Sequence, residues 1–187
     1  MLLYSHTEKH GSYWFILMLN EFANSTDTGK SRPVKRLVFA NPLSVGIISA
    51  KIRIARASEN EMAEITRLAR SFALDCEDLR PKQFLTAEKN NKVIGFGRLK
   101  KYPSFTELAT LGVVPEERNK GIGSAIAGEL LSGRADEIYV ACVIPDFFAR
   151  LGFQIVKNYP ALLKRKVDFC KRYGFNDDEI FVMLYAK

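Results

Sequence analysis

Apolar and polar positions change period several times along this chain. KIRIARA (51 to 57) alternates and predicts a half-buried strand. Ser58 with Glu61 three residues on is a capping-box signature for a helix start. The run behind it sets Met62, Ile65, Leu68, Ala69 and Phe72 on one helical stripe. FLTAEKNNKVIGFGRLK (84 to 100) predicts two strands around an Asn-Asn turn. SFTELATLGVV (104 to 114) predicts a further strand, stopped by Pro115. Residues 120 to 132 read as helix and EIYVACV (137 to 143) as strand. Pro145 opens a short helix, PDFFARLG, with Gly152 as its C-cap. FQIVK is a strand, Pro160 starts a basic helix that Gly174 ends, and EIFVMLYA (179 to 186) closes the sheet. Strands that succeed one another ahead of the Gly121 turn form an antiparallel meander. The class is therefore α/β with a mixed sheet, not a doubly wound parallel one.

The first 50 residues do not share this order. NEFANSTDTGKSRP (20 to 33) is polar, rich in turn formers and reads as a linker. The expected organisation is an N-terminal extension over 1 to 50 and one domain over 51 to 187. The apolar run YWFILML (13 to 19) is far short of the roughly 20 residues a bilayer span needs. No basic n-region precedes it, as a secretory signal requires. Seven Lys or Arg and no acid between Thr28 and Ser58 resemble an organelle transit segment, but Glu8, Glu21 and Asp27 stand ahead of it. The expected location is cytoplasmic, with organelle import as the alternative.

At 187 residues the chain is long enough for one domain with a full core. Its net charge of +7 favours anionic partners without choosing among them. Three scattered cysteines (Cys76, Cys142, Cys170) and two histidines (His6, His10) speak against a disulfide framework or a zinc site, so no metal is expected.

The densest chemical signal is VVPEERNKGIGSA (113 to 125): a strand end, two glycines one apart, two cations just before them, then a helix. Successive backbone N–H groups at such a helix N-terminus make an anion nest. A P-loop places its lysine after the second glycine, whereas Lys120 precedes Gly121. A dinucleotide fingerprint needs a third glycine, and Ile126 stands there. What fits is R-x-x-G-x-G after a strand ending V-x-P, a cradle for pyrophosphate.

This segment resembles the acyl-CoA-binding motif of the GNAT acetyltransferase superfamily, and the order of elements over 51 to 187 resembles that family's order. FFARLGF (147 to 153) resembles its F-Y-x-x-x-G-F. The resemblance implies a mixed, mostly antiparallel sheet with splayed central strands flanked by helices, and acetyl-CoA as co-substrate. It implies that the backbone of Leu111, Gly112 and Val113 holds the pantetheine arm and thioester. Arg118, Asn119, Lys120, Gly121, Ile122, Gly123 and Ser124 would hold the pyrophosphate, with Phe148 also in the cofactor-binding set. Weaker similarity of the C-terminal part to N-acetylglutamate synthase-type enzymes implies a small-molecule amine as acceptor, such as glutamate.

An amine near pKa ~10 must lose a proton before it attacks, so a base is needed. Glu107 lies 11 residues before Arg118, where many family members carry a catalytic glutamate. Period-2 alternation puts Glu107, Ala109, Leu111 and Val113 on one face. Against this stands the reading of Glu107 as an exposed strand-start residue. The family's general-acid tyrosine is absent, because Phe148 occupies its position. Tyr139, Cys142 or solvent would substitute, the first two only if Tyr139 is not a core aromatic and Cys142 not a small buried residue. Arg98 and Lys164 are the candidates to hold an acceptor's carboxylates, with Arg165, Lys166, Lys171 and Arg172 on the same basic helix. The alternative for that helix is a solvated basic face.

The expected partner is a small-molecule amine, without nucleic acid or membrane; a homodimer is compatible with the sequence. Competing readings are a protein or peptide N-acetyltransferase, an acyl-CoA-binding module with little turnover, and a nucleic-acid binder. The last is disfavoured for want of an RNP-like stripe of aromatic and basic residues.

Overall fold

The computed structural model describes residues 46–49, 52–172 and 174–185. The apolar run at 13 to 19, the linker at 20 to 33, both histidines and most of the basic N-terminal segment lie outside the described residues. Among the described residues, eight strands form one sheet in the order β1-β2-β3-β4-β5-β6-β8-β7. They are β1 (Gly46–Ser49), β2 (Ile52–Arg56), β3 (Phe84–Lys89), β4 (Lys92–Lys101), β5 (Thr106–Val113), β6 (Ile138–Cys142), β7 (Gln154–Ile155) and β8 (Phe181–Tyr185). Every pairing is antiparallel except β5 with β6. The helices are α1 (Met62–Ser71), α2 (Ile122–Leu131), α3 (Pro145–Ala149) and α4 (Lys164–Arg172). The sheet thus begins four residues ahead of the boundary expected at residue 50, with Gly46 opposite Ile54.

Local chemistry explains most of these elements. The capping box forms as expected: Glu61 Oε2 accepts from the Ser58 N–H and hydroxyl, both at 2.6 Å. Its Oε1 accepts from Thr86 Oγ1 at 2.8 Å, which ties the helix entry to β3. A cap of this kind contributes about 1 kcal/mol. Asn90 and Asn91 both sit at positive φ (52° and 59°), the type I′ geometry that matches strand twist in a two-residue hairpin.

Two layers cover the sheet. On one face α1 buries Ile65, Leu68 and Ala69 against Phe84 and Phe96. On the other, α2 buries Ile122, Ile126, Ala127, Leu130 and Leu131. Side-chain-free Gly95 and Gly97 let α2 approach β4: a Cβ at Gly97 would lie 3.0 Å from Ile126 Cγ2. Leu163, just ahead of α4, packs with Phe105, Tyr139 and Val182 on the α1 side.

Gly112 is required for a different reason. A Cβ there would stand 2.9 Å from the Phe96 ring, 3.0 Å from the Phe72 ring and 3.2 Å from Leu74. Gly112→Ala is expected to lower stability by about 1–3 kcal/mol through overpacking, read as a fall in the urea midpoint without a change in slope.

Candidate active site

The site is built where β5 leaves its neighbours. Its pairing with β6 extends over two residue pairs only, Thr106 with Ile138 and Glu107 with Tyr139. Beyond them the strands part, and a cavity of about 150 Å³ opens in the gap. Its walls come from β5 (Glu107 to Leu111), β6 and the turn after it (Val140 to Ile144), and Phe148 of α3. Leu74, Asp75 and α4 residues Lys166, Phe169 and Cys170 complete it.

On the other edge, β5 carries one residue more than β4 opposes: Phe96 faces Gly112, yet Arg98 faces Ala109. The surplus is taken up at Thr110, which sits at φ 53°, a genuine outlier for a β-branched residue. This bulge overturns the simple alternation expected for β5. Glu107 and Gly112 point to the α1 side, whereas Leu111 lies against Gly97 and Val113 against Gly123, on the α2 side. One inserted residue exchanges the faces of everything after it.

The bulge is held by a buried cation. Arg98 is 0% exposed. Its Nε donates to Thr110 Oγ1 at 2.9 Å and its Nη1 to the carbonyls of Glu77 (3.0 Å) and Asp78 (3.1 Å). Nη2 donates to Asp75 Oδ2 at 2.9 Å, and Thr110 Oγ1 donates to the Asp75 carbonyl at 2.9 Å. Arg98 therefore ties the loop after α1 to β5 and does not line the cavity, contrary to the expectation that it meets the acceptor.

Lys164 does not reach the cavity either. It is exposed on α4 and pairs with Asp168 one turn on, at 3.5 Å. The cavity side of α4 carries Lys166, Phe169 and Cys170, at i, i+3 and i+4. Lys166 Nζ bonds Asp75 Oδ2 closely and lies 3.9 Å from Glu107 Oε2. Lys100 Nζ is 3.7 Å from the same Asp75 oxygen. Burial pushes Asp75 upward, but the Lys166 hydrogen bond, the Glu77 N–H and the charges of Lys166 and Arg98 outweigh it and hold it below its ordinary value.

Glu107 is 3% exposed, not a surface residue at a strand start. Tyr102, in the turn after β4, donates its hydroxyl to Glu107 Oε2 at 2.9 Å. Burial raises the Glu107 carboxyl above its ordinary value; Lys166 and the Tyr102 bond oppose that rise without cancelling it. Tyr102 carries no motif or periodic signal in the sequence, where it falls between two predicted strands.

Tyr139, expected near the reacting groups, is opposite Glu107 in register but not in the cavity wall. Its hydroxyl donates to Glu137 Oε2 at 3.2 Å, and its ring meets Phe105 edge-on at 5.6 Å. Packing in the Phe105 cluster turns the phenol away. Cys142 does line the cavity; burial pushes its thiol up to about 12, so it is held as the neutral thiol. Phe148 lines the cavity too and stacks edge-on against Phe147 and Phe153.

The glycine turn follows β5. Asn119 and Gly121 both adopt positive φ, 59° and 79°. Left-handed residues at this spacing turn N–H groups into a concavity. The first α2 hydrogen bond runs from the Ala125 N–H to the Gly121 carbonyl at 2.9 Å, so Ile122, Gly123 and Ser124 precede the helical ladder. A Cβ placed on Gly121 would meet nothing within 4 Å, so the turn is open there. Arg118 lies 5.5 Å over the Phe72 ring and donates Nε to the Val113 carbonyl at 3.0 Å. Lys120 bonds the Glu116 carbonyl at 2.7 Å and Glu117 at 3.0 Å. The turn and the cavity flank the same strand end, as an elongated ligand with an anionic tail requires. Among the described residues no group of His, Cys, Asp and Glu is arranged to hold a metal ion, and no helix is long and apolar enough to cross a membrane.

Comparison with known proteins agrees with this geometry. An amino-acid acetyltransferase of Mycobacterium tuberculosis (strain ATCC 25618 / H37Rv) is 30% identical over 101 residues, 51% of this chain and 58% of that protein. The chain thus spans less than two thirds of that curated relative. A solved M. tuberculosis structure in complex with CoA superposes with a TM-score of 0.56 at 21% identity, covering 72% of this chain and 98% of the other. N-acetylglutamate synthase from Neisseria gonorrhoeae, complexed with coenzyme A and L-arginine, superposes with a TM-score of 0.57 at 18% identity over 74% of this chain and 34% of the other. At those identities the structures attest the fold, a mixed sheet flanked by helices. The sequence model described as the acetyltransferase (GNAT) family matches residues 51–153, from β2 through the glycine turn to the end of the FFARLGF stretch. The chain belongs to the acetyltransferase (GNAT) family, enzymes that take acetyl-CoA as co-substrate.

Proposed function

We propose that this protein acetylates the amine of a small molecule, an amino acid being the favoured class, with Glu107 as general base. The observation that carries the reading is the Glu107 carboxylate, buried in the wall of the cavity between the parted strands and at the start of the strand that leads to the glycine turn. Two features of this chain support acetyl-CoA: the turn at Gly121, where a Cβ would meet no atom within 4 Å, and the edge of β5 that pairs with β6 over two residue pairs only. Leu111, Gly112 and Val113 would hold the pantetheine arm, and residues 118 to 124 the pyrophosphate. Acetyl-CoA supplies an activated acetyl thioester to an amine held in the cavity.

The protein's own part is positional and protonic. Glu107 takes the amine proton, a role suited to a carboxyl whose burial raises it toward the working pH. The remaining cavity wall is mostly apolar and excludes water from the reacting groups. Lys166 is the cation that an acceptor's carboxylate would meet. α4 closes the cavity with Phe169 and Cys170, which favours a compact amine over an extended peptide.

The test is a panel of free amino acids and amines against peptides of matched N-termini, with acetyl-CoA and release of free thiol as readout. Turnover with free amines is the expected result; turnover confined to peptides, or none with any acceptor while CoA binds, overturns it. For the cofactor arm, Gly121→Ala should weaken acetyl-CoA binding about tenfold, ~1.4 kcal/mol. The φ of 79° strains any side chain, and relief of that strain would shift the backbone N–H groups of the turn. Calorimetric titration reads that loss directly.

A further inference from the structure

Glu107 is the most enclosed carboxylate in the cavity wall, yet its orientation is set by a residue outside that wall. Tyr102 belongs to the turn joining β4 to β5. Its N–H donates to the Phe105 carbonyl at 2.9 Å, and its ring stacks on Phe105 at 4.5 Å with planes 13° apart. Lys100 Nζ stands 5.5 Å from the same ring. The phenol is thus fixed on two sides and aimed at Glu107 Oε2. Among the described residues no hydrogen bond is made to the other oxygen, Oε1, and Glu107 lines the cavity. One oxygen is clamped from behind while the other is left for an incoming amine.

We propose that Tyr102 is a positioning residue for Glu107, holding the carboxylate by Oε2 so that Oε1 faces the acceptor. The inference rests on the reading of Glu107 as the base. A hydrogen bond donated to a carboxylate favours its charged form. The other groups facing Glu107 divide in sign. Lys166 of α4 and Lys100 of β4 favour ionisation, whereas Asp75 of the loop after α1 opposes it. Cys170 of α4 is a neutral neighbour, its thiol raised by burial, and Tyr139 of β6 turns its hydroxyl to Glu137. Because Asp75 itself bonds Lys166 and Arg98, much of the cationic charge is already engaged. Among the described residues, the phenol hydrogen-bonds Glu107 and no other side chain.

The experiment is a pH–rate profile of Tyr102→Phe with the best acceptor of the panel. A lost bond to a charged carboxylate should move the acidic limb of kcat/KM to higher pH by about one unit. The rate near neutrality should fall, with the affinity for acetyl-CoA unchanged. A limb that stays in place overturns the inference, whatever happens to the melting temperature. Should Tyr102→Phe fail to fold, 3,5-difluorotyrosine at position 102 preserves the shape and strengthens the donor. The limb should then move to lower pH, and an unmoved limb again overturns the proposal. Glu107→Gln run in parallel separates the two claims. If it retains full turnover, the base assignment itself fails; if it is inactive and the Tyr102 variants leave the limb unmoved, only the role of Tyr102 fails.

Discussion

Glu107→Gln is expected to lower kcat by about 10²- to 10⁴-fold, the range a general base contributes, and to leave the acetyl-CoA dissociation constant nearly unchanged. Glutamine has the same shape, and its amide oxygen still accepts from Tyr102, so the turn after β4 keeps its anchor. What disappears is the proton acceptor. Steady-state thiol release measures the first quantity and calorimetric titration the second. The pH profile adds a second criterion. Burial holds the wild-type Glu107 carboxyl above its ordinary value, so activity should fall as pH drops through a limb displaced above the usual carboxylate range. The variant, having no carboxyl there, should lack that limb. An unchanged kcat would remove Glu107 from the mechanism.

Arg98→Met should have the largest effect on stability, a loss of about 3–5 kcal/mol, as for a buried pair broken from one side. Methionine fills much of the volume but leaves Thr110 Oγ1, the Glu77 and Asp78 carbonyls and Asp75 short of a donor. Urea denaturation checks the figure; a loss under about 1 kcal/mol would show that the guanidinium is dispensable. The acid side gives an independent reading. Asp75 is held below its ordinary value in the fold. Its contribution is therefore present above its unfolded pKa of about 3.9 and is lost as pH falls through the lower folded value. With the Arg98 charge gone, the folded value rises toward the unfolded one, so less stability is lost on acidification. Lys166 and Lys100 still face Asp75, so the dependence should shrink without vanishing.

Much of the fold was legible because its causes are local. The Ser58–Glu61 box, the stripe through Ile65 and Leu68 and the Asn90–Asn91 turn each depend on residues within a turn or two of one another. The conformation of the glycine turn was legible for the same reason. Asn119, Gly121 and the first turn of α2 form one continuous segment whose backbone conformation follows from its own residues. The acceptor side was much less so. The sequence marks a basic helix but not its rotation, and a rotation of about 200° (two residues) separates exposed Lys164 from cavity-lining Lys166. Rotation is decided by which apolar residues of α4 find the sheet, a long-range matter. Arg98 illustrates the same limit. A cation on a strand reads as available for a ligand, until the loop after α1 folds over it and supplies two carbonyls and a carboxylate.

The sequence by itself determined the order of elements, the mixed sheet and the glycine turn, since each is written in periodicity, capping or turn chemistry over a few residues; Glu107 became a candidate through the family resemblance. Only the tertiary structure decided which face each β5 side chain takes, because one extra residue at Thr110 reverses the alternation and is tolerated only where Arg98 and Asp75 hold it. It also decided the company Glu107 keeps. Tyr102, Lys166 and Asp75 come from three segments far apart in the chain, and they meet at one carboxylate only after the sheet and both its covering layers are assembled.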